Sequence, residues 1–254
     1  MSDPTGLQVK SPALGGDQGR RPDGRVSYRT HVLRALPDRG AVADVGRMFD
    51  IRPGQTPADA DDCTALYDSL VERLVRLRVG RNAPKVGTAF PAFTLPEASG
   101  VPRSLRDLLD RPLVVSFVGG GGCPFCLEML AAWKETLPDL IAAGGRLLIL
   151  TGDSGLAVRG EHAVSGRVDV LIDTNHGLAL ASGVVFHVGP ELTRRHRDAG
   201  LDLRHIYGSE AGLLPISAIF VLDPDGVIRH AHVDPDFRRR PDLAAVISTV
   251  RALA

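Results

Sequence analysis

The sequence predicts an α/β fold in which helices flank a central mixed β-sheet. After residue 84, short apolar runs alternate with segments of helical periodicity, which is typical of layered α/β structures. Within this region, residues 113–118 (LVVSFV) are apolar on both faces of an extended chain, which indicates a buried central strand. We therefore expect one domain over residues 84–254.

Residues 1–83 are predicted to form a tail and a helical extension. Residues 1–26 are polar and rich in glycine and proline, so we expect them to be disordered. Residues 27–83 carry helical periodicity, and the clearest helix runs from Asp61 or Asp62 to Gly80 with a leucine stripe on one face. Cys63, in its first turn, is interpreted as a small, partly buried residue rather than a reactive thiol.

The elements of the predicted domain follow in order along the chain. The strand at 113–118 leads into a helix that we expect Pro138 to kink or end. Further strands are expected at 146–150, 168–172 and 218–222, and a turn at 223–226 (DPDG) leads into a strand at 227–232. Pro241 is expected to open a closing helix at 243–253. The order strand, helix, strand, helix, hairpin, helix is the plan of a thioredoxin-like fold.

Composition narrows the classes of function. Thirty basic residues balance thirty acidic ones, which argues against nucleic acid or an acidic membrane surface as a partner. No run approaches the roughly 18 apolar residues that span a bilayer. The first 25 residues lack the apolar segment of a secretory signal, so we expect a cytoplasmic protein. Three cysteines argue against a disulfide framework.

The motif CPFC, residues 123–126, is placed where the central strand turns into a helix. Free N–H groups and the macrodipole at a helix N-terminus stabilise an anion, so we expect a lowered pKa for Cys123. Pro124 suits the first helical position because its missing N–H would have no partner there. Cys126, one turn further on, is within reach of Cys123 to form or resolve a disulfide. The motif predicts a redox-active dithiol.

Metal and nucleotide sites have less support. CPFC supplies half of a tetrahedral zinc site, but the sequence has no second C-x-x-C, and His230 and His232 alternate as surface residues of a strand do. The glycine run 119–122 lacks a following Gly-Lys-Ser/Thr, and Pro124 takes the place of the last glycine of a dinucleotide fingerprint. We therefore expect neither a metal nor an organic cofactor.

The glycine run itself has two interpretations. The glycines either let the chain turn tightly or clear space beside Cys123 for a bulky thiol or peroxide. The candidate substrate-pocket residues are Gly119, Gly120, Gly122, Pro124, Phe125 and Ser217.

Several ordered segments are shared with a known family. They are KVGTAFPAFTL (85–95), Ser104 with Leu105, the strand before CPFC, LPDLIAAGG (137–145), VLDPDG (221–226) and VDPDFRRR (233–240). Over about residues 65–252 the chain resembles the peroxiredoxin-like branch of the alkyl hydroperoxide reductase and thiol-specific antioxidant family. The resemblance implies a thioredoxin fold in which Cys123 holds the attacking, peroxidatic position and Cys126 can resolve it.

The chain departs from the pattern of this family at several positions. Gly119 and Gly122 stand where members carry an Arg and a Trp, and Gly120 stands where a peroxiredoxin has Thr or Ser. Ser217 takes the place of a cis-proline or an Arg. A hydroxyl and a guanidinium would stabilise charge as the O–O bond breaks, so their absence predicts slow peroxide reduction.

The sequence thus predicts a thiol-dependent oxidoreductase that exchanges disulfides or reduces peroxides. A thiol reductant or a thioredoxin-like protein would restore the dithiol, and a homodimer is left open. The alternative is a recruited thioredoxin-fold enzyme or binding module that acts on a specialised small molecule in a pocket beside residues 119–122.

Overall fold

The structure, a computed structural model, describes residues 64–120, 123–154, 167–198, 202–209 and 211–254. In chain order, the helices and strands are α1 (Thr64–Arg76), β1 (Thr94–Pro96), β2 (Pro102–Ser104), β3 (Leu113–Phe117), α2 (Pro124–Ala142), β4 (Arg146–Thr151), β5 (Val168–Ile172), α3 (Gly177–Ala181), β6 (Val185–His187), α4 (Pro190–Asp198), α5 (Leu203–Tyr207), β7 (Leu213–Pro215), β8 (Ser217–Leu222), β9 (Ile228–Asp234) and α6 (Leu243–Arg251). Short 3-10 helices lie at Leu105–Leu108 and Thr174–His176.

A five-stranded mixed sheet occupies the centre of the fold, in the order β5–β4–β3–β8–β9. Strands β3, β4 and β5 run parallel to one another, and β8 and β9 form an antiparallel hairpin on the other side of β3. Val115 of β3 therefore lies between Leu148 of β4 and Phe220 of β8. This sheet confirms the predicted fold class.

Strand β3 is buried on both faces because helices cover the sheet on both sides. Val115 and Phe117 belong to one apolar core, together with Leu74 of α1. Val114 belongs to the opposite core, together with Trp133 of α2. Alternate side chains of a strand point to opposite faces, so both cores fix β3 in place. The residues that follow β3 therefore leave the sheet from a rigid position.

Helix α2 continues through Pro138, so the helix does not end at this residue, which was one of the two expected effects of the proline. The helix runs from Pro124 to Ala142 with Pro138 inside it. Pro138 is exposed, whereas Leu137 and Leu140 on the inner side of the helix are buried in the core below the sheet. The backbone hydrogen bond that proline cannot make is thus lost on the solvent side of the helix, where the loss costs least.

The other predicted elements are found close to their expected positions. The closing helix begins at Leu243, and its N-cap is Asp242, whose side chain accepts the Ala245 N–H at 3.1 Å; Pro241 precedes this cap rather than opening the helix. Five short elements between β5 and β8, namely α3, β6, α4, α5 and β7, are not predicted by any pattern in the sequence.

All described residues belong to one compact unit of the chain. Residues 1–26, most of the predicted helical extension and Cys63 lie outside the described residues. From Thr64 onward, α1 buries Leu70, Val71 and Leu74 in the core of the domain. Within the described parts of the chain, no helix is long and apolar enough to cross a bilayer.

Ser116→Ala should destabilise the protein by about 1–3 kcal/mol, because the buried Trp133 Nε1–H, which donates to Ser116 Oγ at 3.2 Å, would lose its acceptor. Trp133 is the single tryptophan of the chain, so its fluorescence during urea unfolding measures the change directly. Ser248→Ala on the exposed side of α6 is the control. Equal stability of the two variants would contradict a stabilising role for this hydrogen bond.

Candidate active site

The CPFC motif lies at the carboxyl end of β3, where the chain turns into α2. Cys123 is the N-cap of α2: its backbone is extended (φ −101°, ψ 114°), and its Sγ accepts the Cys126 N–H at 3.3 Å. Pro124 is the first residue of the helix. The sulfur of Cys123 therefore lies at the positive end of the helix dipole.

The sulfur of Cys126 packs against the backbone of Gly119. The Gly119 N–H donates to Cys126 Sγ at 3.2 Å. A Cβ at position 119 would also lie 3.2 Å from this sulfur, which is closer than side chains normally approach. The protein's own sulfur thus occupies part of the space that Gly119 leaves open.

Gly120 has a backbone conformation and surroundings that require glycine. Its φ is +133°, which L side chains rarely adopt. A Cβ here would lie 2.9 Å from Asp153 Cβ and 3.1 Å from the Tyr207 hydroxyl oxygen. At this position the glycine allows both the turn and the close packing of two side chains from other elements.

The two thiols interact strongly, and their pKa values shift in opposite directions. The pKa of Cys126 is lowered, chiefly because the Cys123 side chain hydrogen-bonds to its sulfur; burial opposes this, and the N–H groups of Gly119 and Gly120 support it. The pKa of Cys123 is raised well above its usual value by the same hydrogen bond and by burial. The expectation of a lowered pKa for Cys123 is therefore wrong for this geometry, because the hydrogen bond that lowers the pKa of Cys126 raises that of Cys123.

Both sulfurs line a cavity of about 60 Å³. Its walls are mainly aromatic and aliphatic and include Phe117, Phe125, Phe186, Leu192, Leu214 and Phe237. The rings of Phe125 and Phe237 meet edge to face with centroids 5.2 Å apart. Because a single water needs roughly 10–15 Å³ on this scale, the cavity can accept a small molecule next to the dithiol.

Two polar side chains from α1 and α4 meet on the cavity wall. The Tyr67 hydroxyl lies 3.1 Å from His196 Nε2, and both residues line the cavity. Burial lowers the pKa of His196, so its imidazole is neutral at pH 7.

A single arginine brings positive charge to the dithiol. The Arg240 guanidinium lies 6.0 Å from the centroid of the Phe125 ring, and its Nε lies 3.5 Å from Glu128 Oε2. Its charge contributes to lowering the pKa of both cysteines, as a smaller effect than the hydrogen bonds. Arg240 lines the same cavity.

Most of the residues singled out in the sequence meet at this site. Cys123, Cys126, Gly119, Phe125 and Ser217 all line the cavity. Gly120 packs against Asp153 and Tyr207, Pro124 begins α2, and Gly122 lies outside the described residues.

Sequence reasoning missed several polar residues of the cavity. Tyr67, His196 and Tyr207 come from α1, α4 and α5, and no spacing in the sequence links them to the CPFC motif. Arg240 is the last residue of the segment VDPDFRRR, so a signal existed in that motif, although it did not say which arginine faces the sulfurs.

Gly120→Ala should destabilise the protein by roughly 1–3 kcal/mol from the positive φ alone, with a further cost from the Asp153 and Tyr207 contacts. Gly87→Ala is a matched control, because Gly87 also has a positive φ (+88°) but a Cβ there would meet nothing within 4 Å. Urea unfolding of both variants compares them. A Gly120→Ala variant no less stable than Gly87→Ala would refute the close packing.

In a Cys63→Ala background, Cys123→Ala should raise the pKa of the remaining Cys126 thiol, because the side chain that donates to its sulfur is removed. Cys123→Ser, whose hydroxyl can still donate, should give a pKa between those of Cys123→Ala and the parent. Thiolate absorbance in the ultraviolet as a function of pH measures this order. A Cys123→Ala variant with an unchanged or lower pKa would show that this hydrogen bond does not govern the acidity of Cys126.

Comparison with known proteins places the chain in a family. The AhpC/TSA family model matches residues 86–231. A Mycobacterium tuberculosis protein named as a peroxiredoxin is 33% identical over 67 residues, which cover 26% of this chain and 43% of that protein. A glycogen synthase of Cereibacter sphaeroides is 40% identical over 89 residues, which cover 34% of this chain and 18% of that protein. The chain therefore spans less than half the length of these relatives.

A solved structure shows the same fold. A mutant of the peroxiredoxin 6 of Arenicola marina superposes with a TM-score of 0.50 at 16% identity, over 67% of this chain and 74% of that one. The family match extends over more than half of the sequence and includes β3, the glycine turn and both cysteines of the CPFC motif. This protein belongs to the AhpC/TSA family.

Proposed function

We propose that the protein is a thiol-dependent peroxidase in which Cys123 and Cys126 cycle between dithiol and disulfide. The observation that carries the proposal is the pair of sulfurs at the start of α2, held by backbone N–H groups and open to an apolar cavity. Membership of the AhpC/TSA family and similarity to a mycobacterial protein named as a peroxiredoxin support a peroxide as the oxidant.

The resting pair prepares the first step. The Cys123 side chain hydrogen-bonds to the Cys126 sulfur and lowers the pKa of Cys126, so we propose that Cys126, once ionised, acts as a base. As Cys123 Sγ attacks the peroxide, an S–O bond forms, the O–O bond breaks and Cys126 takes the Cys123 proton. The products are a sulfenic acid on Cys123 and an alkoxide or hydroxide ion, which takes a proton from water.

The second step closes the disulfide. The Cys126 sulfur attacks the Cys123 sulfur, so an S–S bond forms and water leaves with the sulfenic oxygen and the Cys126 proton. An external thiol then attacks the disulfide, and a second thiol releases it as the oxidised reductant. We propose a small thiol or a thioredoxin-like protein for this role and, because the cycle needs a supply of reductant, the cytoplasm as its compartment.

Cys123 is proposed as the attacking sulfur although the charge rests on Cys126. During attack the negative charge moves to Cys123, where the Cys126 N–H at 3.3 Å and the N-terminus of α2 stabilise it. Cys126 Sγ is instead held against the Gly119 backbone, which restricts approach from that side. Gly119, Phe125 and Ser217 are proposed to contact the bound substrate because they line the cavity with both sulfurs.

One equivalent of peroxide should oxidise the reduced protein to a Cys123–Cys126 disulfide and remove two free thiols. Peptide mapping of the oxidised protein and thiol titration measure both. Cys126→Ser should stop at a sulfenic acid on Cys123, which a dimedone adduct detects, because no second sulfur can resolve it. Cys63→Ala, as the control, should still form the disulfide.

Single-cysteine variants also test the order of attack. A sulfenic acid on Cys126 in the Cys123→Ser variant would reverse the assignment of the attacking sulfur. A dominant disulfide through Cys63 would contradict the role of the pair. A protein that exchanges with small disulfides but reacts with no peroxide would be an oxidoreductase of the thiol-disulfide type, and the peroxidase proposal would fail.

A further inference from the structure

The hydroxyl of Tyr207 lies near the dithiol, beside the glycine turn. A Cβ placed on Gly119 would lie 4.0 Å from the Tyr207 hydroxyl oxygen and 3.2 Å from Cys126 Sγ. Tyr207 also lines the cavity that both sulfurs line. Given the proposed peroxidase function, we propose that Tyr207 is a further catalytic residue whose hydroxyl donates a hydrogen bond to the leaving oxygen of the peroxide.

The surroundings keep this hydroxyl protonated. Burial raises the pKa of Tyr207 well above its usual value, and the nearby charges of Cys126, Cys123 and Asp153 act in the same direction. A tyrosine that cannot ionise at neutral pH remains a donor throughout the pH range in which the dithiol forms its thiolate.

The position of the hydroxyl is fixed from two sides. A Cβ placed on Gly120 would lie 3.0 Å from Asp153 Oδ2 and 3.1 Å from the Tyr207 hydroxyl oxygen. These two oxygens therefore occupy neighbouring positions beside the glycine turn. On the far side, the His176 ring lies 5.3 Å from the Tyr207 ring. The hydroxyl is therefore held in place before any substrate binds, as electrostatic catalysis requires.

Backbone strain near Tyr207 points to the same site. Asn175 and His176 both have positive φ (54° and 55°), a conformation that costs energy in non-glycine residues and is found mainly at functional sites. It seats the buried His176 ring against Gly152, where a Cβ would lie 2.7 Å from the ring. The strained turn thus positions the His176 ring against which the Tyr207 ring packs.

The hydroxyl acts where charge develops. When the attacking sulfur takes one peroxide oxygen, the O–O bond breaks and its electron pair moves to the other oxygen, which becomes an alkoxide. A donor aimed at that oxygen lowers the barrier, whereas a leaving thiolate or carboxylate stabilises its own charge and needs the donor less. Tyr207 remains neutral in this step, and the alkoxide is protonated by water.

The test is Tyr207→Phe, which keeps the ring and removes the hydroxyl. Its Cys123 oxidation by tert-butyl hydroperoxide should slow by about a hundredfold. Oxidation by peracetic acid, which releases a carboxylate, and exchange with a small disulfide should change by less than about threefold. Stopped-flow fluorescence of Trp133 measures all three reactions on one protein.

Ser248→Ala is the comparison, because it also removes one hydroxyl, but from the exposed side of α6 and not from the residues that line the cavity. It should keep the wild-type ratio of hydroperoxide to disulfide rates. If Tyr207→Phe misfolds, a fluorotyrosine introduced at position 207 alone, with a stronger O–H donor, should react with the hydroperoxide at least as fast as the wild type.

The outcomes separate the two proposals. A wild-type protein that no peroxide oxidises would refute the peroxidase function itself. If the wild type reacts, two results would refute the role of Tyr207 alone. The Tyr207→Phe variant could keep its hydroperoxide rate, or it could slow equally with all three oxidants. A fluorotyrosine protein that loses the hydroperoxide reaction would do the same.

Discussion

The contact between the Cys126 sulfur and the backbone of Gly119 governs the arrangement of the site. A sulfur can accept a hydrogen bond from a backbone N–H at 3.2 Å only where no bulky group stands between them, and a Cβ at position 119 would come equally close to that sulfur. The contact also requires a fixed end to β3. Both apolar cores supply this by burying the strand on its two faces, so the Gly119 N–H is aimed before α2 begins. The sheet thereby determines the electrostatics of the dithiol.

The distribution of charge between the two sulfurs depends chiefly on the hydrogen bond between them, and backbone N–H groups add to it. The N–H groups of Gly119 and Gly120 lower the pKa of Cys126, and the Cys126 N–H lies 3.3 Å from Cys123 Sγ. In the proposed mechanism the proton of Cys123 moves to Cys126 as Cys123 attacks. Arg240 favours the anion on either sulfur. In the proposed mechanism Cys126 therefore serves first as base, when it takes the Cys123 proton, and then as acid, when that proton leaves with the water.

Local patterns were sufficient to predict the sheet and the position of the cysteines. An apolar strand, a glycine turn and a helix start are adjacent in the sequence, so the structure of residues 113–120 and 123–126 could be predicted from it directly. The pKa order of the cysteines was not predictable in this way, because it depends on the hydrogen bond between the two side chains and on the N–H groups that reach Cys126, which only the folded turn sets. The wall of the cavity that comes from the elements between β5 and β8 was not predictable either. These elements, α3 to β7, are short and have little periodicity, and their place against the sheet follows from tertiary packing.

The side chains that surround the glycine turn and the dithiol explain the departures from the family pattern. Gly120 stands where a peroxiredoxin carries a hydroxyl, and a side chain at this position would collide with Asp153 and reach within 3.1 Å of the Tyr207 oxygen. A side chain with a hydroxyl at position 120 would therefore overlap the place of the Tyr207 hydroxyl. This chain carries the Tyr207 hydroxyl there. Arg240 likewise brings a guanidinium from beyond β9 to the dithiol, where Gly119 carries none. Because transition-state stabilisation depends on where a donor lies and not on which element carries it, the loss of donors from the turn does not by itself imply a slow peroxidase.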